Sequence, residues 1–364
     1  MDGGLTMQAV VYRGPRDLVV QEVEEPELRP GDVRVAVESA GVCGTDVRIF
    51  KGEHSAYANG VGRVPGHEIV GRVAEVGSGA VRPGLALGDL VFVAPNIGCG
   101  RCAQCIRGNE NLCRSTEGIG ITLDGGFADY VVVPARAVEH GNLIGLDDSR
   151  SRHAAVLIEP LACVLRGQDK VDVHLGDMVF VGGGGPVGLL HVALAKARGA
   201  SIVMCSEPSA VRREAARRAG ASIVVDPTGC DLAETVAEVT DRAGMDVVIT
   251  AAPVHDLQTA AIGLAAPGGR VLFFGGLPKR RPTVELDTNA IHYKELIVAG
   301  TTASTVDDCR RAAELVSRGL IELDWVVSDV YALGEFAQAI NKAQDAAALK
   351  VVVSPHATPE TSRS

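Results

Sequence analysis

The run from Met178 to Gly188 constrains the chain more than any other stretch. Met178-Val179-Phe180-Val181 is continuously apolar, the pattern of a strand covered on both faces. Gly182 to Gly185 follow, then Pro186-Val187-Gly188, then an apolar segment to Ala200 that reads as a helix. Glycines at 183, 185 and 188 make G-x-G-x-x-G between strand and helix, and Glu207 ends the next predicted strand about 20 residues on. The bare pattern is weak, but this context specifies a dinucleotide site. The glycines let the backbone approach a pyrophosphate, and the helix N-terminus favours the anion. Glu207 is placed to accept both hydroxyls of the adenosine ribose. Its charge would repel a 2'-phosphate, so NAD is expected over NADP. Gly183, Gly185, Pro186, Val187, Gly188, Glu207 and Arg212 are the candidate cofactor-binding residues.

The alternation continues downstream. Strands are predicted at 201–205, 223–225, 246–250, 269–274 and 295–299, and helices at 209–219, 231–243 and 257–266. Six strands with right-handed crossovers predict a doubly wound parallel sheet. Residues 7–93 read differently. Short β-rich segments are broken by Gly14-Pro15, Gly77-Ser78-Gly79 and Arg82-Pro83-Gly84, with no helical spacers. That pattern predicts an antiparallel, barrel-like β domain. Residues 301–353, with helices at 306–317 and 334–344 and a strand at 349–353, are expected to return to it. The expected division is 1–164, 165–300 and 301–364, the last ending in a disordered polar tail from 356.

Three separated segments supply metal-type ligands. Gly41-Val42-Cys43-Gly44-Thr45-Asp46 carries a thiol beside a hydroxyl and a carboxylate. Pro65-Gly66-His67-Glu68 carries an imidazole and a carboxylate, and Glu159 stands in the apolar run 157–161. Thiolate, imidazole and carboxylate together bind zinc and leave a position open for substrate. Cys43, His67 and Glu159 are therefore the expected catalytic ligands. Glu68 either sits behind the metal, ligates it in some states, or is structural. Asp46 is expected to orient the ring of His67 by accepting its other N–H, and Thr45 to hydrogen-bond a bound alcohol. A second cluster, Cys99, Cys102, Cys105 and Cys113, has the spacing C-x2-C-x2-C-x7-C within a lobe at 99–113. Four thiolates close a tetrahedral shell, so this site reads as structural zinc, with an iron–sulfur cluster as the alternative. Cys163, Cys205, Cys230 and Cys309 read as free, mostly buried thiols.

The net charge of −10 argues against a nucleic-acid partner. No apolar run reaches membrane-spanning length, so no membrane association is expected. The first residues lack a basic segment followed by an apolar one, so a secretory signal is not expected. Cysteines at metal spacing fit a reducing cytoplasm better than a disulfide framework.

With these motifs in place, the chain resembles the zinc-dependent medium-chain dehydrogenase/reductases: alcohol, sorbitol and threonine dehydrogenases. The resemblance runs from Met7 to Val353. It rests on Gly66-His67-Glu68-x2-Gly71-x5-Gly77, the four-cysteine lobe, Gly126-Phe127-Ala128-Asp129-Tyr130 and the dinucleotide loop. It implies a GroES-like β-barrel catalytic domain, a Rossmann domain, one catalytic and one structural zinc, and NAD-dependent oxidation of an alcohol. It also implies a homodimer or homotetramer that pairs the last Rossmann strand, near 296–299. Glu159-Pro160-Leu161-Ala162-Cys163 looks like the polyol and threonine branch, where this Glu ligates zinc directly or through water. The implied substrate is a secondary alcohol of a sugar, polyol, cyclitol or amino-sugar, with an L-threonine-type or simple alcohol as the alternative. One position departs from the family: Arg48 replaces the relay histidine. It reads as a contact to a polar or anionic substrate, and His54 as a candidate replacement for the relay. A catalytically silent NAD- or redox-sensing protein is the alternative of another class, and a zinc-free quinone reductase a third reading. Intact Cys43, Thr45, His67 and Glu159 argue against the sensor, and the cysteine lobe against the quinone reductase.

Overall fold

The computed structural model describes residues 5–58, 60–80, 84–149 and 151–356. The expected turn at 82–83 and the tail beyond 356 lie outside the described residues. The described chain forms two compact units, one built from residues up to Ala162 and from Ala303 onward, the other from Cys163–Thr302. The second unit is slightly longer at both ends than 165–300. No helix among the described residues is long and apolar enough to cross a membrane.

The first unit contains β1 (Thr6–Gly14), β2 (Asp17–Glu24), β3 (Val33–Val42), β4 (Glu68–Val76), β5 (Leu90–Val93), β6 (Asn96–Ile97), β7 (Glu117–Gly118), β8 (Tyr130–Val133) and β9 (Leu143–Gly145). The second contains β10 (Met178–Gly182), β11 (Ile202–Ser206), β12 (Ile223–Val225), β13 (Met245–Thr250), β14 (Ala265–Phe273) and β15 (Ile297–Gly300). The chain then adds β16 (Val327–Ala332) and β17 (Lys350–Ser354) to the first unit.

In the first unit a seven-stranded sheet runs β16-β17-β3-β4-β5-β9, with β8 also on β3. β3 alternates buried and half-buried residues at its start, and Val33, Val35 and Val37 are fully buried. They pack with Ile69, Val91, Val93 and Phe127 in one core. The pairing is antiparallel except between β16 and β17, which run parallel. The antiparallel pattern expected for 7–93 holds, while β16, a strand not expected from the sequence, pairs parallel to β17 because the helix Phe336–Lys342 carries the chain back between them. The registers set Gly41 opposite Glu68 and Val42 opposite Val351. Cys43, Glu68 and Lys350 thus gather at one end of three adjacent strands.

The second unit is a six-stranded parallel sheet in the order β12-β11-β10-β13-β14-β15. In chain order this is 3-2-1-4-5-6, the doubly wound arrangement. Val179, Phe180 and Val181 are fully buried, as the continuous apolar run predicts. Two predicted helix ends shift. The helix expected at 231–243 is Leu232–Val239, because Asp241 and Arg242 take left-handed backbone conformations (φ 49° and 65°). The helix expected at 257–266 is His255–Leu264, because Ala265 already pairs with Met245 as the start of β14.

Candidate active site

Cys43 precedes the helix Gly44–Phe50 as its N-cap, with an extended backbone. Its N–H donates to Asp46 Oδ2 at 2.8 Å, which fixes the entry of the helix and the direction of the thiol. His67 and Glu68 enter β4 after Gly66, and both are buried. Cys43 Sγ, a ring nitrogen of His67 and a carboxylate oxygen of Glu68 all lie within 4.8 Å of one another. Soft thiolate, imidazole and carboxylate suit zinc, so the donor set fits.

Glu159 is also buried, in the helix Ile158–Lys170, but it does not belong to this close group. Its charge reaches the fully buried Cys309 and helps raise that thiol's pKa, after burial itself. Asp46, fully buried, stands 3.7 Å from His67 Nδ1 through its Oδ1, too far for a hydrogen bond. Both atoms lack a hydrogen-bond partner. The expected orienting bond is therefore replaced by a charge held near the ring. Burial pushes the pKa of His67 down, but the charge of Asp46 and the neighbouring Cys43 outweigh it and hold it well above its ordinary value.

Sequence reasoning missed Lys350. It is buried and its ammonium pairs with Glu68 Oε2, while Glu68 Oε1 has no hydrogen-bond partner. A charge inside the apolar run 349–353 is the same signal that singled out Glu159, and it could have been read the same way. Thr45, two residues after Cys43, accepts a hydrogen bond at 3.0 Å from Arg48 Nη2. His54 Nδ1 instead accepts from the N–H of Ala56 at 3.3 Å and caps a short turn of helix, Ser55–Tyr57.

The four-cysteine lobe also closes. Cys99 Sγ is 4.0 Å and Cys102 Sγ 3.6 Å from Cys105 Sγ. A tetrahedron with metal–sulfur bonds of about 2.3 Å has sulfur–sulfur edges of about 3.8 Å, so the thiols already stand at ligand spacing. Backbone N–H groups of Arg101 and Cys102 pull the Cys99 thiol down to about 6, and that of Cys99 lowers Cys113. Burial raises Cys105 to about 12. The lobe is tied to the returning chain: Glu110 Oε1 accepts from the N–H of Val306 at 2.7 Å. Of the other cysteines, Cys205 and Cys309 are buried, Cys163 is half-buried and Cys230 is exposed.

In the second unit the glycine loop leads into the helix Pro186–Ala197, with Gly185 as N-cap and Pro186 in the first turn. A side chain at Gly188 would fall on the carbonyl oxygen of Gly183, so only glycine allows this closeness of helix and strand. Glu207 follows β11 and is buried. Its Oε2 accepts from the N–H of Gly184 and its Oε1 from that of Ser209, each at 2.8 Å. The carboxylate thus spans the loop and the start of the next helix. Arg212 Nη1 is 3.8 Å from where a side chain at Gly185 would begin.

A parallel sheet with this loop, in a chain that also carries two metal-type clusters, is the arrangement of a zinc- and dinucleotide-dependent dehydrogenase. Comparison with known proteins agrees. The alcohol dehydrogenase GroES-like domain family matches residues 29–141, and the zinc-binding dehydrogenase family matches residues 186–318. The chain belongs to the zinc-dependent medium-chain dehydrogenase/reductases and is an NAD(P)-dependent oxidoreductase acting on CH–OH groups. Among its relatives, an L-threonine 3-dehydrogenase of Pyrococcus abyssi is 35% identical over 85% of this chain and 87% of its own length. A sorbitol dehydrogenase of Halalkalibacterium halodurans is 30% identical over 96% of this chain and 99% of its own. A zinc-binding dehydrogenase of Sinorhizobium meliloti, solved with NADP bound, superimposes with a TM-score of 0.89 at 37% identity, covering 96% of this chain and all of that one (100%).

Proposed function

We propose that this protein oxidises a secondary alcohol of a sugar, polyol, cyclitol or amino-sugar to the ketone, with NAD as hydride acceptor. The observation that carries this reading is the gathering of Cys43, His67 and Glu68 within 4.8 Å, two residues from the hydroxyl of Thr45. Cys43, His67 and one carboxylate, Glu68 or Glu159, would hold the catalytic zinc, and the four cysteines the structural one. Bound there, zinc supplies Lewis acidity that lowers the pKa of an alcohol. Thr45 would hydrogen-bond the alcohol through its hydroxyl and relay the proton, accepting it while passing its own hydroxyl proton outward. That proton cannot leave through Arg48, because a guanidinium has no acceptor. Thr45 is half-buried, so that proton would pass from it to solvent.

Glu207 supports NAD over NADP. Its buried charge lies against the glycine loop, where a 2'-phosphate would meet an uncompensated carboxylate. The NADP in the Sinorhizobium meliloti structure supports the second reading, in which Arg212 receives that phosphate. A homodimer or homotetramer is part of the proposal. β15 ends the sheet, and Ile297 and Val298 on it are exposed, an apolar edge suited to pairing with a second copy. Nine free cysteines fit a reducing cytoplasm. A screen of NADH formation over polyols, sugars, cyclitols, L-threonine and amino-sugars, with zinc analysis of the same sample, tests the reading. Turnover of L-threonine or a simple alcohol alone selects the alternative substrate class. Bound zinc and NAD without NADH from any member selects the silent sensor.

A further inference from the structure

We infer that Arg48 is an anion anchor, and that the alcohol this protein oxidises carries a carboxylate or phosphate close to the reacting carbon. The inference rests on the proposed dehydrogenase reading and narrows its substrate class. Arg48 and Thr45 are three apart on the helix Gly44–Phe50 and so share a face. Arg48 Nη2 donates to Thr45 Oγ1 at 3.0 Å, which sets the guanidinium beside the hydroxyl assigned to the substrate.

Two further observations say what the remaining donors are for. Arg48 is exposed, and no carboxylate stands within ion-pair distance of it among the described residues. Several other arginines are taken up by acids, Arg34 by Glu25, Arg72 by Glu38, Arg213 by Asp226 and Arg270 by Asp177, and Arg63 by backbone carbonyls. What sets Arg48 apart is its place: its guanidinium is held on the hydroxyl of Thr45, two residues from Cys43, with no acid of the described chain on it. A guanidinium has five N–H donors in a planar fork. One goes to Thr45, and the others match the paired oxygens of a carboxylate or phosphate. Because the same guanidinium holds Thr45, the anion and the carbinol would be read together, which limits the anion to a position a few atoms from the reacting carbon. A neutral polyol satisfies Thr45 but leaves the fork to water.

The test pairs each anionic substrate with its neutral counterpart: D-gluconate against D-sorbitol, and D-arabinitol 5-phosphate against D-arabinitol. For the zinc-loaded protein with NAD, kcat/KM is expected to favour the anionic member of at least one pair by about tenfold or more. Which pair responds distinguishes carboxylate from phosphate. Arg48→Gln should abolish that preference by raising KM for the anion about tenfold, and Arg48→Lys should restore part of it. Loss of the bond to Thr45 affects both members of a pair alike, so the ratio isolates the anchor. An unchanged ratio in Arg48→Gln overturns the inference, as does a raised KM for NAD with the ratio intact, which would place the guanidinium on the cofactor. Calorimetric titration of each anion into the protein with NAD gives a readout without turnover. If no alcohol is oxidised but an anion binds and Arg48→Gln weakens it about tenfold, the anchor stands and the dehydrogenase reading fails. If neither anion binds nor is oxidised while a neutral polyol is, the anchor fails alone.

Discussion

The ammonium of Lys350 is paired with the carboxylate of Glu68 inside the first unit, where their side chains are 3% and 0% exposed. The sheet brings them together: Glu68 lies opposite Gly41 on β3, and Lys350 precedes Val351, which lies opposite Val42. A side chain at Gly41 would collide with Glu68 Oε2 and with Lys350 Cε, so the glycine makes room for the pair. Burial pushes the pKa of Lys350 down, but the charge of Glu68, with that of Cys43, outweighs it and raises the pKa. Lys350→Met leaves Glu68 as an uncompensated buried charge and should cost about 3–5 kcal/mol. Glu68→Gln added to it should recover most of that loss. Urea midpoints of the two variants measure the coupling, and equal midpoints would show that the pair does not hold the fold.

Cys105→Ser should lower bound zinc from about two ions to one per chain, since three thiolates do not close the shell. Glu110 ties the lobe to Val306, so local unfolding should extend to the helix Val306–Ser317. Elemental analysis reads the first effect and amide hydrogen exchange over that helix the second. Two zinc ions retained in the variant would end the structural-site assignment.

Replacing Glu207 separates its two roles. Glu207→Ala removes the acceptor of the Gly184 and Ser209 N–H groups and should cost about 1–3 kcal/mol. Glu207→Gln keeps an acceptor but drops the charge, so stability should largely hold. In both variants the ratio of kcat/KM for NAD to that for NADP should fall about tenfold. A ratio equal to that of the unmodified protein would remove Glu207 from cofactor selection.

His191 gives the protein an acid sensitivity of calculable sign. It is fully buried on the helix that follows the glycine loop. Burial, aided by the charge of Arg198, pushes its pKa down to about 3 from 6.5. Between those values the unfolded chain binds the proton and the folded chain does not. Stability is therefore complete above pH 6.5 and falls as the pH drops, by about 1.4 kcal/mol per pH unit. His191→Leu should flatten this slope by one proton. The bond from Gln168 Nε2 to the backbone oxygen of residue 191, 2.8 Å long, remains available to any side chain. Urea midpoints at neutral and mildly acid pH check it, and parallel slopes in the two proteins would exclude His191 as the origin.

The parallel sheet was legible because each of its signals is local. Apolar runs of strand length, a glycine turn and helical spacers all lie within the span of one crossover. The errors there fell at ends such as 239–243, where Asp241 and Arg242 adopt backbone angles that their residue types do not advertise. In the first unit the cysteine lobe was equally plain, because its four ligands lie within one short loop and their spacing is itself the signal.

What the sequence alone determined, then, is the inventory: a parallel nucleotide sheet, a β unit, four thiolates in one lobe, and Cys43, His67, Glu68 and Glu159 as possible ligands. Only the tertiary structure decided which of these meet. Strand register placed Glu68 with Cys43 and His67, closed it against Lys350 from nearly three hundred residues later, and left Glu159 outside the close group. Helix geometry set Arg48 on Thr45. The physical reason is that a charge is silent about its partner until folding removes water around it. Which opposite charge compensates it depends on long-range pairing, not on its neighbours in the chain.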